Sequence, residues 1–112
     1  MTGTIDTGAL DRAPADYPAL SQLFGGYFHQ DWQRDHTSRE AALDAFVRDA
    51  SPETVGAAAI EIDRLLGAGF DDASLEEMLA GGFDCNYVPE ADGISAAAWL
   101  RTVGDRLRRS AN

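Results

Sequence analysis

Lysine is absent from this 112-residue sequence, and its nine basic residues, all arginine, face nineteen acidic ones for a formal charge of −10. So little positive charge disfavours contact with a phosphate backbone, and direct nucleic-acid binding is not expected. One cysteine, Cys85, rules out an internal disulfide framework. No run approaches the ~20 apolar residues of a membrane span, so no membrane partner is expected. The first residues, MTGTIDTGALDRAPAD, lack the basic start and apolar middle of a secretory leader, which makes the cytoplasm the expected location.

Signatures of catalysis are missing as well. Neither LFGG nor AGGF has the lysine or the spacing of a phosphate-binding loop, and no serine sits in G-x-S-x-G. Cys85 lies between Asp84 and Asn86 with no histidine near it in sequence, the setting of a buried structural thiol rather than a nucleophile. No cofactor is expected. One cluster could hold a metal: His29, Asp31, Asp35 and His36 fall within eight residues, and two histidines with a carboxylate suit zinc. Their spacing is not H-E-x-x-H, and the alternative is a set of solvated or locally hydrogen-bonded side chains. A small metal-dependent enzyme is the corresponding functional reading.

What is present is helical periodicity. Residues 1–16 mix Gly, Thr, Asp, Ala and Pro without a repeat and predict a flexible arm, followed by one domain over residues 17–109. Leu20, Leu23, Phe24, Tyr27 and Phe28 form an apolar stripe behind Pro18. TSRE predicts a second helix capped by Thr37 and Glu40, and SPET a third capped by Ser51 with Pro52 in its first turn. SLEE predicts a short fourth with Ser74 and Glu77 as its capping box. Ser95 opens a fifth that carries Trp99, Val103 and Leu107 and ends in arginines, where positive charge suits the helix dipole. Phe83, Cys85 and Tyr87 alternate through an irregular segment that Asp92-Gly93 turns. The fold class is therefore all-α, a compact bundle of about five helices.

Two features need a reason. Gly25 and Gly26 each cost a helix about 0.5–1 kcal/mol relative to alanine. Close approach of a bulky residue such as Trp99, a kink that redirects Tyr27 and Phe28 inward, or backbone exposed to a partner would each account for them. Asp71, Asp72, Glu76, Glu77, Asp84, Glu90 and Asp92 crowd into 22 residues that hold no arginine. Dipole and capping needs explain Asp72, Glu76 and Glu77 but leave Asp84, Glu90 and Asp92. The segment is either a solvated face or a docking surface for a basic protein.

Two blocks resemble a known family. YPALSQLFGGYFHQDW, with Gly25, Gly26, Tyr27, Phe28, His29, Gln30, Asp31 and Trp32, is similar to the opening helix of the all-helical immunity proteins of contact-dependent growth inhibition. GGFDCNYVPEADGISAAAWL resembles that family's later pattern through Cys85, Tyr87, Pro89, Asp92, Gly93 and Trp99. The resemblance implies a non-enzymatic inhibitor that binds a cognate toxin domain, many of which are nucleases with basic clefts. It assigns no toxin-contacting residues. A regulatory adaptor for another basic protein is the remaining alternative.

Overall fold

A computed structural model describes residues 7–111. Helices α1 (Thr7–Asp16), α2 (Pro18–Tyr27), α3 (Trp32–Asp35), α4 (Arg39–Asp49), α5 (Pro52–Gly67), α6 (Asp72–Glu77) and α7 (Ala96–Ala111) follow in order. A π-helical turn (Met78–Gly82) prolongs α6, and a 3-10 turn (Pro89–Asp92) precedes α7. No strand occurs among the described residues, and the fold is all-α.

The core forms where α5 packs on α7 and α2, around an aromatic cluster. Trp99 of α7 sits at its centre, with ring centroids 5.5 Å from Phe24, 5.4 Å from Phe28 and 4.7 Å from Tyr87. Aromatic pairs of this kind add about 0.5–1.5 kcal/mol each beyond the area they bury. The α5–α7 contact is close because Gly104 has no side chain: a Cβ there would stand 2.9 Å from Ile62 Cγ2.

The expected flexible arm does not run through residue 16. Residues 7–16 form α1, with Ala13 fully buried; residues 1–6 lie outside the described residues. Pro14 sits inside this helix and removes one backbone donor, which hides the helix from a reading of the sequence. Packing supplies the compensation. Leu10 lies on Gly81, and Ala13 lies so near Gly82 that a Cβ added to the glycine would be 2.9 Å from the alanine's.

Side-chain caps set the starts of the four helices α4 to α7. Ser51 accepts the Thr54 N–H at 3.1 Å and Ser95 the Ala98 N–H at 3.0 Å, as their positions in the sequence predict. Two caps differ from expectation by a few residues. Ser38, not Thr37, accepts the Ala41 N–H and starts α4. Asp71, not Ser74, caps α6, and Ser74 is buried inside the helix as the donor to Asp71. Helix α2 receives no side-chain cap from Tyr17; instead Glu61 of α5 accepts the Leu20 N–H at 3.0 Å across 41 residues.

Gly25 and Gly26 lie in the last turn of α2. A Cβ on Gly25 would sit 3.1 Å from the Phe83 carbonyl oxygen, so the close approach comes from the Phe83 backbone and not from Trp99. A Cβ on Gly26 would meet nothing within 4 Å, and the structure gives no packing reason for this glycine. Beyond Tyr27 the chain leaves the helix and buries Phe28, whose carbonyl accepts the Asn86 N–H at 2.7 Å. That bond ties the two motif blocks together.

Candidate partner-binding surface

Residues 83–89 keep the alternation read from the sequence. Phe83, Cys85 and Tyr87 are buried, while Asp84, Asn86 and Val88 face solvent. Asp84 adopts a left-handed φ of 55°, a conformation that aspartate tolerates better than most residues, and its carbonyl accepts the Asn86 side-chain amide. The Cys85 N–H donates to Leu79 at 2.8 Å. Burial pushes the Cys85 thiol up to about 12, so it remains protonated and unreactive at neutral pH.

Tyr87 anchors the segment. Its hydroxyl donates to Asp92 Oδ2 at 2.8 Å, and Arg39 Nη1 donates to both the Tyr87 oxygen (3.1 Å) and Asp92 (2.6 Å). Burial first, then the Asp92 carboxylate, pushes the phenol up to about 12. This three-residue bridge fixes the 3-10 turn against the start of α4.

The seven acidic residues singled out in the sequence divide into two sets. Asp71 caps α6, Asp72 accepts the Ala97 N–H at 3.0 Å in the first turn of α7, and Asp92 is held by Arg39 and Tyr87. Their carboxylates hold the fold. Glu76, Glu77, Asp84 and Glu90 form no ion pair among the described residues. Burial, and then repulsion from Glu90 and Asp72, raises the pKa of Glu76, which places these three carboxylates in one field. Two arginines of α7 pair elsewhere: Arg106 meets Asp44 of α4 at 3.0 Å and Arg108 meets Asp63 of α5 at 2.8 Å. Asp44 of α4 and Asp63 of α5 are thus paired with arginines of α7, whereas Glu76, Glu77, Asp84 and Glu90 are not.

Val88 stands in the middle of this region with half of its surface exposed. A groove of about 220 Å³ bordered by Trp32, Asn86 and Asp92 runs along one side of the Tyr87–Val88 pair. A narrower slot of about 140 Å³ on the other side is bordered by Glu76, Leu79, Ala80 and Pro89. Val88, Ala80 and Arg39 are not among the residues that the sequence singles out. The alternation that buries Cys85 and Tyr87 also turns Val88 outward, which is a usable signal. Arg39 lies 48 residues from Tyr87, and no local pattern joins them.

The histidine cluster does not assemble into a metal site. His29 Nδ1 accepts the Asp31 N–H at 3.0 Å, and its Nε2 faces Asp35 Oδ2 at 3.0 Å. His36 instead stacks on Tyr27, with ring centroids 6.2 Å apart. Among the described residues no group of three or more His, Cys, Asp or Glu side chains is placed to hold a metal ion. Phe28 and Trp32 of the same stretch are buried in the aromatic cluster, and Gln30 is exposed. No helix among the described residues is long and apolar enough to cross a membrane.

Comparison with known proteins gives two findings. A chain of the crystal structure of a CdiA-CT/CdiI complex from Y. kristensenii 33638 superposes with a TM-score of 0.78 at 28% identity, over 82% of this chain and 98% of that one. No curated protein matches. The model of the CdiI immunity protein family matches residues 16–107, from the last residue of α1 to within the last turn or so of α7. With that match spanning most of its length, the chain belongs to the CdiI immunity protein family.

Proposed function

We propose that this protein neutralises the toxin domain encoded with it, that the toxin is a nuclease, and that the surface formed by α6, the π-helical turn and residues 84–90 occludes the toxin's basic cleft. Family membership and the likeness to a chain of a CdiA-CT/CdiI complex support the toxin partner. The observation that carries the nuclease reading is the set of carboxylates left without cations, Glu76, Glu77, Asp84 and Glu90, around the exposed Val88. A nuclease binds a polyanion and must concentrate positive charge at its active site, so an inhibitor seated there presents the opposite charge. The acidic field speeds encounter and fixes orientation, while Val88 and its flanking grooves supply the apolar contact that slows release.

The test is direct. The toxin domain encoded beside this gene is purified with and without the immunity protein and assayed on RNA and DNA. Nucleic-acid cleavage abolished by one equivalent of this chain is the expected result. A toxin domain that leaves both substrates intact removes the nuclease reading, and one that neither binds this chain nor is blocked by it removes the pairing.

A further inference from the structure

The two grooves beside Val88 differ in chemistry. The one bordered by Asp92 faces a carboxylate that Arg39 already neutralises at 2.6 Å. The slot on the other side combines four apolar side chains, Leu79, Ala80, Val88 and Pro89, with the ring of Tyr87 and the carboxylate of Glu76. Glu76 has no cation among the described residues, and Glu90 and Asp72 add to the negative field around it. An apolar slot beside an unneutralised carboxylate selects its occupant strongly. A wholly apolar side chain would strip water from Glu76 and return nothing, and an acidic one would be repelled. A short cation would leave the apolar walls wet. A long cationic side chain meets both demands, since its methylene stem lies on apolar surface while its head keeps to charge and water.

We infer that this slot receives one arginine or lysine side chain of the toxin domain, its stem against Leu79, Val88 and Pro89 and its charged head at Glu76. The inference rests on the proposed function for its partner and adds which part of that partner enters and where. Arginine is favoured of the two, because it is enriched among the residues that dominate interface energies and is the more weakly hydrated cation.

The slot can be tested without the toxin, using n-butylguanidinium as a probe and n-butanol as its uncharged control. Methyl resonances of Leu79 and Val88 in the intact protein report occupancy. Saturable shifts with n-butylguanidinium at a Kd of about 1–10 mM are expected, and no saturation with n-butanol. Glu76→Gln weakens the probe about two- to fivefold, the effect of one partly exposed ion pair. Val88→Ser, which keeps the charge, weakens it as well. Absence of saturable shifts, an equal response to n-butanol, or indifference to Glu76→Gln overturns the inference. A toxin domain that binds wild type, Glu76→Gln and Val88→Ser with equal affinity also overturns it, yet leaves the immunity reading standing. One that binds none of the three removes both.

Discussion

Replacing Glu61 tests whether a single distant side chain holds the first turn of α2. Glu61 is 6% exposed, and its Oε1 accepts the N–H of Leu20, a residue with no exposed surface. Tyr17 offers no side-chain cap and Pro18 has no N–H, so the carboxylate meets a donor that α2 cannot satisfy itself. Truncation to alanine strands that buried donor and removes a charge from the positive end of the helix. The lost charge-assisted bond is worth about 1.5–3 kcal/mol and the helix-dipole contribution about 0.3–1 kcal/mol. Glu61→Ala should therefore cost about 2–4 kcal/mol, a large share of a total near 5–15 kcal/mol. An unfolding entropy of about 2.1 cal/mol/K per residue converts this into a fall in Tm of about 8–17 °C. Glu61→Gln keeps an acceptor and loses only the charge, so its cost should stay near 0.5–1.5 kcal/mol. Urea unfolding followed by circular dichroism measures both. An alanine variant within about 0.5 kcal/mol of wild type, or a glutamine variant as damaging as alanine, would mean that Glu61 does not hold the first turn of α2.

Two further expectations follow from the packing. Gly82→Ala forces a methyl against Ala13 and should destabilise by about 1–3 kcal/mol, whereas in an Ala13→Gly background most of that cost should vanish. Additive effects in that double-mutant cycle would mean that α1 does not press on Gly82. Cys85 should resist thiol reagents at pH 8 until the protein unfolds. Its folded pKa, raised by burial from the ordinary 9.0 to about 12, also sets a pH dependence. The folded state holds the proton more tightly than the unfolded state. The associated stability is therefore complete below about pH 9 and lost as pH rises toward 12. Cys85→Ala should flatten that decline in urea midpoint, with a residual slope left by Tyr87, and an unaltered slope would contradict the assignment.

The sequence shows the helices whose apolar stripes and caps are local. Ser51-Pro52 and Ser95 mark two helix starts to the residue, because a serine three positions before a free N–H is a complete structural unit. Where two capping residues compete, as at Thr37-Ser38 and Asp71-Ser74, local chemistry permits both and only backbone geometry decides. Helix α1 is hidden by Pro14 and by a stripe too sparse to show without Gly82 to pack on. The acidic segment is plain in composition. Its division is not, since the roles of Asp72 and Asp92 depend on Ala97 and on Arg39, the latter 53 residues from its partner. The glycine pair illustrates the same limit: a packing reason exists at Gly25, but its source, the Phe83 carbonyl, lies 58 residues on.

We propose that carboxylates with no structural duty steer this protein onto a basic toxin. Stopped-flow association with the toxin domain encoded beside it, at low and moderate salt, measures that steering. Glu76, Glu77 and Glu90 changed together to glutamine remove charge while leaving the helix caps Asp71 and Asp72 in place. Wild type should associate at well above about 10⁶ M⁻¹s⁻¹ at low salt, and the triple variant about tenfold more slowly and with a flatter salt dependence. An unchanged low-salt association rate in a folded triple variant would contradict that proposal.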